Sequence, residues 1–253
     1  MCIRDRCASA NGESQRALDL LQAAHDAATE AEAPLEEAKC LLHRVRFLPP
    51  AEAQSVIAEA LALYEHHGTA WNLATCHDML ARTWRDRGDL PRAEMSARHA
   101  IQLLDDIETG GSAAIQPRLT LALVHLQRDQ ADEALDLAHG ARRWGIRAQR
   151  PRTIALADAI LVVVATLLER THDWEVAFNE LADTLRRVRQ PDPDIAWCLE
   201  RAGKLAVATQ EFHHAGRALA LALELYQDLG MGPRAEQVQD LLNSVRENTD
   251  SSS

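Results

Sequence analysis

The stretch RDRGDLPRAEMSARHA, residues 85–100, decides the fold. A Gly-Asp pair is followed by Ala93, Ala97 and Ala100, small residues that share one face of a helix. Gly88 can end one helix in the left-handed conformation, and Asp89 can cap the first N–H groups of the next. Two helices joined by a tight turn approach most closely beside that turn, where only small side chains let the backbones meet. The stretch therefore predicts the corner of a helical hairpin.

The corner recurs. Counting back 13 and 12 residues from Ala93, and forward 4, 7 and 8, selects Leu80, Ala81, Ala97, Ala100 and Ile101. The same offsets from Ala134 give Leu121, Ala122, Ala138, Ala141 and Arg142, and from Ala215 they give Ala202, Gly203, Leu219, Ala222 and Leu223. Ala53 selects Cys40, Leu41, Ile57, Ala60 and Leu61; Ala177 selects Val164, Ala165, Leu181, Thr184 and Leu185. Ala17 supplies only the downstream half, Leu21 and Ala24. These reference alanines, at 17, 53, 93, 134, 177 and 215, are 36, 40, 41, 43 and 38 residues apart. A period near 40 with helical spacing inside each unit is the signature of stacked hairpins. NGES (11–14) and THDWE (171–175) fall where further turns are expected, and Leu90, Trp174 and Phe212 stand as apolar wedges where second helices begin.

Composition agrees. Of 253 residues, 47% are hydrophobic and 26% charged, with three Phe, two Tyr and five Trp, so the core must be built from Leu, Ala, Val and Ile. With few Gly, Pro or β-branched runs, that is an all-helical composition. A net charge of −11 argues against nucleic acid or an anionic membrane as partner. Cysteines at 2, 7, 40, 76 and 198 form no Cys-x-x-Cys pair, which suggests a reducing, cytoplasmic setting. The most apolar run, IALADAILVVVATLL (154–168), is shorter than the roughly 20 residues a membrane helix needs and contains Asp158. It reads as an interior helix buried on both sides.

The pattern resembles the tetratricopeptide repeat family. The best match, about residues 74–107, places Leu80, Ala81, Trp84, Gly88, Asp89, Ala93, Ala97 and Ala100 at the family's signature positions. The resemblance covers roughly residues 11–230 and is weaker outside that unit; the equivalents of Trp84 are Arg44, His125, Leu168 and Ala206. The units are also longer than the family's usual length, similar to those of bacterial regulators and signalling NTPases. The resemblance implies a right-handed superhelical solenoid of antiparallel helix hairpins. Its concave face would be lined by first-type helices and would bind a protein or peptide segment. Carried onto this sequence, that face comprises Asp78, Arg82, Arg85, Leu119, Leu123, Leu126, Thr166, Arg170, Glu200 and Lys204. Arginine and leucine together suit an extended or helical segment with acidic and apolar groups.

Both ends carry expectations. Val238, Leu241, Leu242 and Val245 form the single stripe of a capping helix at about 233–247, and residues 248–253 read as a disordered tail. Residues 1–6, MCIRDR, look like a non-native leader, and the first helix lacks an upstream partner, so the natural chain is expected to continue upstream. Residues 7–247 are expected to form one domain of about five and a half units plus the cap.

Catalytic and cofactor motifs are missing. The sequence holds no His-Glu-x-x-His, no G-x-x-x-x-G-K-[ST] and no G-x-S-x-G, so no cofactor or metal is expected. Eleven His include the adjacent pairs His66–His67 and His213–His214, but neighbours on a helix point about 100° apart, which disfavours a shared ligand site. Arg142, Arg143, Arg147, Arg150 and Arg152 cluster around Trp144, at what reads as a solvated helix end. The reading favoured by these features is a non-catalytic binding scaffold. The alternatives are a C-terminal sensor array of a larger regulator or NTPase, and an enzyme using groove histidines.

Overall fold

The computed structural model describes residues 11–105, 113–188 and 191–251. Its helices are α1 (Asn11–Glu30), α2 (Pro34–Arg44), α3 (Pro50–His67), α4 (Ala70–Asp86), α5 (Leu90–Asp105) and α6 (Ile115–Gln127). They continue as α7 (Ala131–Arg147), α8 (Pro151–Leu167), α9 (Thr171–Val188), α10 (Pro193–Ala208), α11 (Phe212–Asp228) and α12 (Gly232–Ser251). A 3-10 turn, Val45–Phe47, follows α2, and no strand occurs among the described residues. The protein is all-α.

The helices group into two compact units divided between Val124 and His125, inside α6. In the first, α1 to α5 pack each on the next; α2, α3 and α4 share a core of Leu41, Leu42, Ile57, Tyr64 and Cys76. In the second, α8 packs on α7, α9 and α10, and α11 lies between α10 and α12. Each unit is a stack of helix hairpins.

A single backbone device makes seven of the joints among the described residues. Glu32, Gly88, Asp129, Gln149, Glu169, Gln210 and Gly230 all have positive φ, between 49° and 81°. The next residue's N–H then reaches the carbonyl five positions back: Asp89 to Trp84 (3.0 Å), Gln130 to His125 (3.0 Å), Arg170 to Ala165 (2.8 Å) and Glu211 to Ala206 (2.8 Å). This is the Schellman ending, which satisfies carbonyls that a helix terminus leaves open. Of these seven joints, only those at Gly88 and Gly230 use glycine; the others hold a residue with a Cβ in a conformation that disfavours one.

The joints fix the corner positions. Ala93, Ala134 and Ala215 each donate an N–H to the capping residue's carbonyl, on Asp89, Gln130 and Glu211, and Ala53 does the same to Pro49. In the α8–α9 hairpin the residue so placed is Trp174, bonded to Arg170, rather than Ala177. THDWE therefore opens α9 instead of forming the turn, which lies at Glu169–Arg170; NGES likewise opens α1. With Trp174 in place, the corners at 53, 93, 134, 174 and 215 are 40, 41, 40 and 41 residues apart. A large ring fits this one corner because it stacks on Phe178 (4.7 Å between centroids) and on His214 of α11 (4.1 Å).

Burial follows the predicted faces. Ala93, Ala97 and Ala100, Ala134, Ala138 and Ala141, and Ala215 and Ala222 are fully buried, as are Ala81 of α4 and Ala122 of α6. Every residue from Ala155 to Ala165 of α8 is buried, as expected for a helix apolar all round. In α12, Val238, Leu242 and Val245 form the buried stripe. That helix runs to Ser251, past the tail boundary expected at 248, because Ser244 and Asn248 bond to the carbonyls of Leu241 and Ser244 (both 2.8 Å) and continue the turn pattern. The leader expected at 1–6 lies outside the described residues. No helix among the described residues is long and apolar enough to cross a membrane.

Candidate binding surface

The residues expected on a concave face divide sharply by burial. In the first unit, Asp78 is only 7% exposed. It accepts hydrogen bonds from Arg82 Nε (3.0 Å) and from Thr120 Oγ1 (2.7 Å), tying α4 to α6. Arg85 is also 7% exposed and donates to Asp86 (3.1 Å). Leu119 and Leu123 are core residues. Arg82, half-buried, is the member of this set that keeps some contact with solvent.

In the second unit Leu126 is fully buried, whereas Arg170 and Lys204 are exposed and Thr166 is intermediate. Glu200, 3% exposed, accepts hydrogen bonds from Lys204 Nζ, from the Tyr226 hydroxyl (2.7 Å) and from Arg234 Nη1 (2.8 Å). Burial pushes this carboxyl up, but the bonds from Lys204 and Tyr226 and the charges of Arg234 and Lys204 outweigh it and hold it below the usual carboxylate range. Glu200 is thus the knot joining α10, α11 and α12.

Asp78, Arg85, Leu119, Leu123, Leu126 and Glu200 are therefore interior residues, and a ligand cannot reach them without parting the helices. The offset from a turn tells which helix face a residue occupies. It does not tell what packs over that face.

Open surface lies instead beside the second-type helices. Between α7 and α9, floored by α8, runs a groove of about 350 Å³. Leu135, Leu161, Val164 and Val176 supply its apolar walls, and His139, Arg142, Arg170 and Glu180 its polar ones. Val176 is 46% exposed and opens onto this groove. A second groove, of about 850 Å³, follows between α9 and α11, with Leu185 and Leu221 on its walls and Arg186 and Glu224 at its rim. Sequence reasoning missed both, although Val176, one residue before a reference alanine, was the available signal.

Arg142 is the polar centre of the first groove. It is not a solvated helix-end cation: its Nε donates to Asp158 Oδ1 (2.6 Å) and its Nη2 to Glu180. Asp158 is 0% exposed, its Oδ2 has no hydrogen-bond partner among the described residues, and burial raises its carboxyl to about 6 against the pull of Arg142. One charged side chain thus links three helices. Of the rest of that basic cluster, Arg152 pairs with Asp192 (3.3 Å), while Arg143, Arg147 and Arg150 are exposed.

No family model matches the chain, and no curated protein matches it. Among solved structures, BtubC (BKLC) from P. vanneervenii is similar, with a TM-score of 0.59 and 15% identity over 85% of this chain and 91% of that one. A tetratricopeptide repeat protein from Parabacteroides merdae is similar at a TM-score of 0.40 and 13% identity, over 91% of this chain and 99% of its own. At these identities the likeness concerns the fold alone. The chain has an all-α helical-repeat fold.

Proposed function

We propose that the protein is a non-catalytic scaffold that holds a segment of another protein in the groove between α7 and α9. The observation that carries this reading is the open apolar wall around Val176, set beside the Arg142–Glu180 pair. Such a surface offers one apolar socket and both signs of charge, which suits an amphipathic helix or extended peptide. Arg170, the accessible residue expected from sequence, borders the same groove and adds a cation. A non-catalytic role is supported by the described thiols: Cys198 is buried, and burial pushes Cys76 up to about 12, far from a poised nucleophile. The tie between Arg142 and two carboxylates supports a protein partner over nucleic acid, since that cation is already neutralised.

Photocrosslinking tests the proposal. A benzophenone amino acid at Val176 should trap a protein in the source cell, and the same group at exposed Glu133 should not. The trapped segment, made as a peptide, should bind the purified chain and lose at least about tenfold in affinity to Val176→Asp, in line with burying a charge in an apolar contact. Equal labelling from both positions, or a peptide indifferent to Val176→Asp, would move the working surface elsewhere.

A further inference from the structure

At the start of α11, away from the groove, three potential metal ligands come together. Glu175 of α9 and His213 and His214 of α11 place one ligand atom each within 4.8 Å of the others, as one group among the described residues. We propose that these residues bind a single divalent transition-metal ion, of the zinc, nickel or copper type, which clips α9 to α11.

The adjacent pair does not exclude itself here, as helical geometry alone suggested. The rings of His213 and His214 have centroids 5.7 Å apart at 61°, and the carboxylate comes from another helix to meet them. His214 Nε2 lies 3.2 Å from Glu175 Oε1, and a metal ion would take the place of the proton these two atoms share. Tetrahedral zinc with bonds of about 2.0 Å needs ligand atoms about 3.3 Å apart, so only the exposed His213 side chain has to move appreciably.

The surroundings resemble the outer shell of a metal centre. Nδ1 of His214, the nitrogen facing away from Glu175, has Glu211 Oε2 3.5 Å away, which places a carboxylate behind the ring. Trp174 stacks on the ring and restrains its orientation. Arg217 Nη1 holds both oxygens of Glu175 (2.8 and 2.6 Å), while its Nη2 is anchored on Asn179 Oδ1 (2.7 Å). A carboxylate has about four lone-pair sites, enough for Arg217 and one ion. Two imidazoles and one carboxylate favour zinc, nickel or copper over magnesium or calcium.

The test uses the purified full chain, freed of metal with chelator and titrated with zinc chloride by calorimetry. One equivalent should bind. His213→Ala, at an exposed position, and Glu175→Gln should each weaken binding at least about tenfold, a loss that even outer partners of a metal centre can cause. The double variant His66→Ala/His67→Ala should leave it unchanged. With cupric ion, electron paramagnetic resonance should show coupling to two imidazole nitrogens in the parent and to one in His213→Ala. The site is overturned by zinc binding that is absent, that survives either single variant intact, or that disappears with His66 and His67.

Discussion

A Cβ placed on Gly203 of α10 would lie 2.5 Å from Cγ of Leu219 on α11. Leu219 is fully buried, so it has little room to withdraw. Gly203→Ala should therefore destabilise the protein by about 1–3 kcal/mol, the usual cost of overpacking. Gly140 of α7 is the control, because a Cβ there meets nothing within 4 Å. Gly140→Ala should add about 0.5–1 kcal/mol by relieving backbone entropy in a helix. Urea unfolding of both variants measures the contrast; shifts of the same sign would contradict this packing.

The joints predict the opposite effect of glycine. Gln210 has φ of 63°, a conformation that costs a residue with a Cβ about 1–2 kcal/mol. Gln210→Gly should raise the melting temperature, because relief of that strain exceeds the entropy glycine adds to the unfolded chain. Gly88→Ala, at φ of 81° with open space around it, should lower it by strain alone. Thermal unfolding followed by circular dichroism gives both signs, and a stabilising Gly88→Ala would contradict the joint.

Asp158 sets a pH dependence. Its folded carboxyl lies at about 6, above the usual aspartate range, chiefly through burial. The folded state therefore holds this proton more tightly than the unfolded one. Its stabilising contribution is full below about pH 4 and is lost as pH rises through about 6, on the order of 3 kcal/mol in all. The stability of the parent minus that of Asp158→Asn should accordingly fall between about pH 4 and about pH 7. Urea titrations across that range measure it; a flat difference would mean that Asp158 is ionised throughout.

Arg142 and Arg143 are neighbours with different fates. Removing Arg142 leaves Asp158 buried without its cation, so Arg142→Met should cost about 3–5 kcal/mol near neutral pH. Arg143 is exposed, and Arg143→Met should stay within about 0.5 kcal/mol. Equal unfolding midpoints for the two variants would refute the tie among α7, α8 and α9.

The hairpin period was legible because alanines at 93, 134 and 215 each announce a corner through small size alone. The α8–α9 corner was misplaced by three positions, since Trp174 breaks that rule and Ala177 happens to follow it. The turn residues Gln149, Glu169 and Gln210 carried no signal of their own, because neither Gln nor Glu marks a positive φ as glycine does. The burial of several residues in the expected binding set was hidden for a related reason. Asp78 and Glu200 look like surface carboxylates in sequence, yet partners 42 and 26 residues away, Thr120 and Tyr226, enclose them.

The burial of α8 on every side also bears on how the chain is made. Ala155–Ala165 leaves the ribosome after α7, while α9 and α10 have yet to emerge. Until they arrive, two sides of an apolar helix have no cover, and chaperones or other nascent chains compete for them. The interval between the emergence of Leu167 and that of Ala208 is thus when this protein is most exposed to aggregation, and a pause in elongation during it would prolong the hazard.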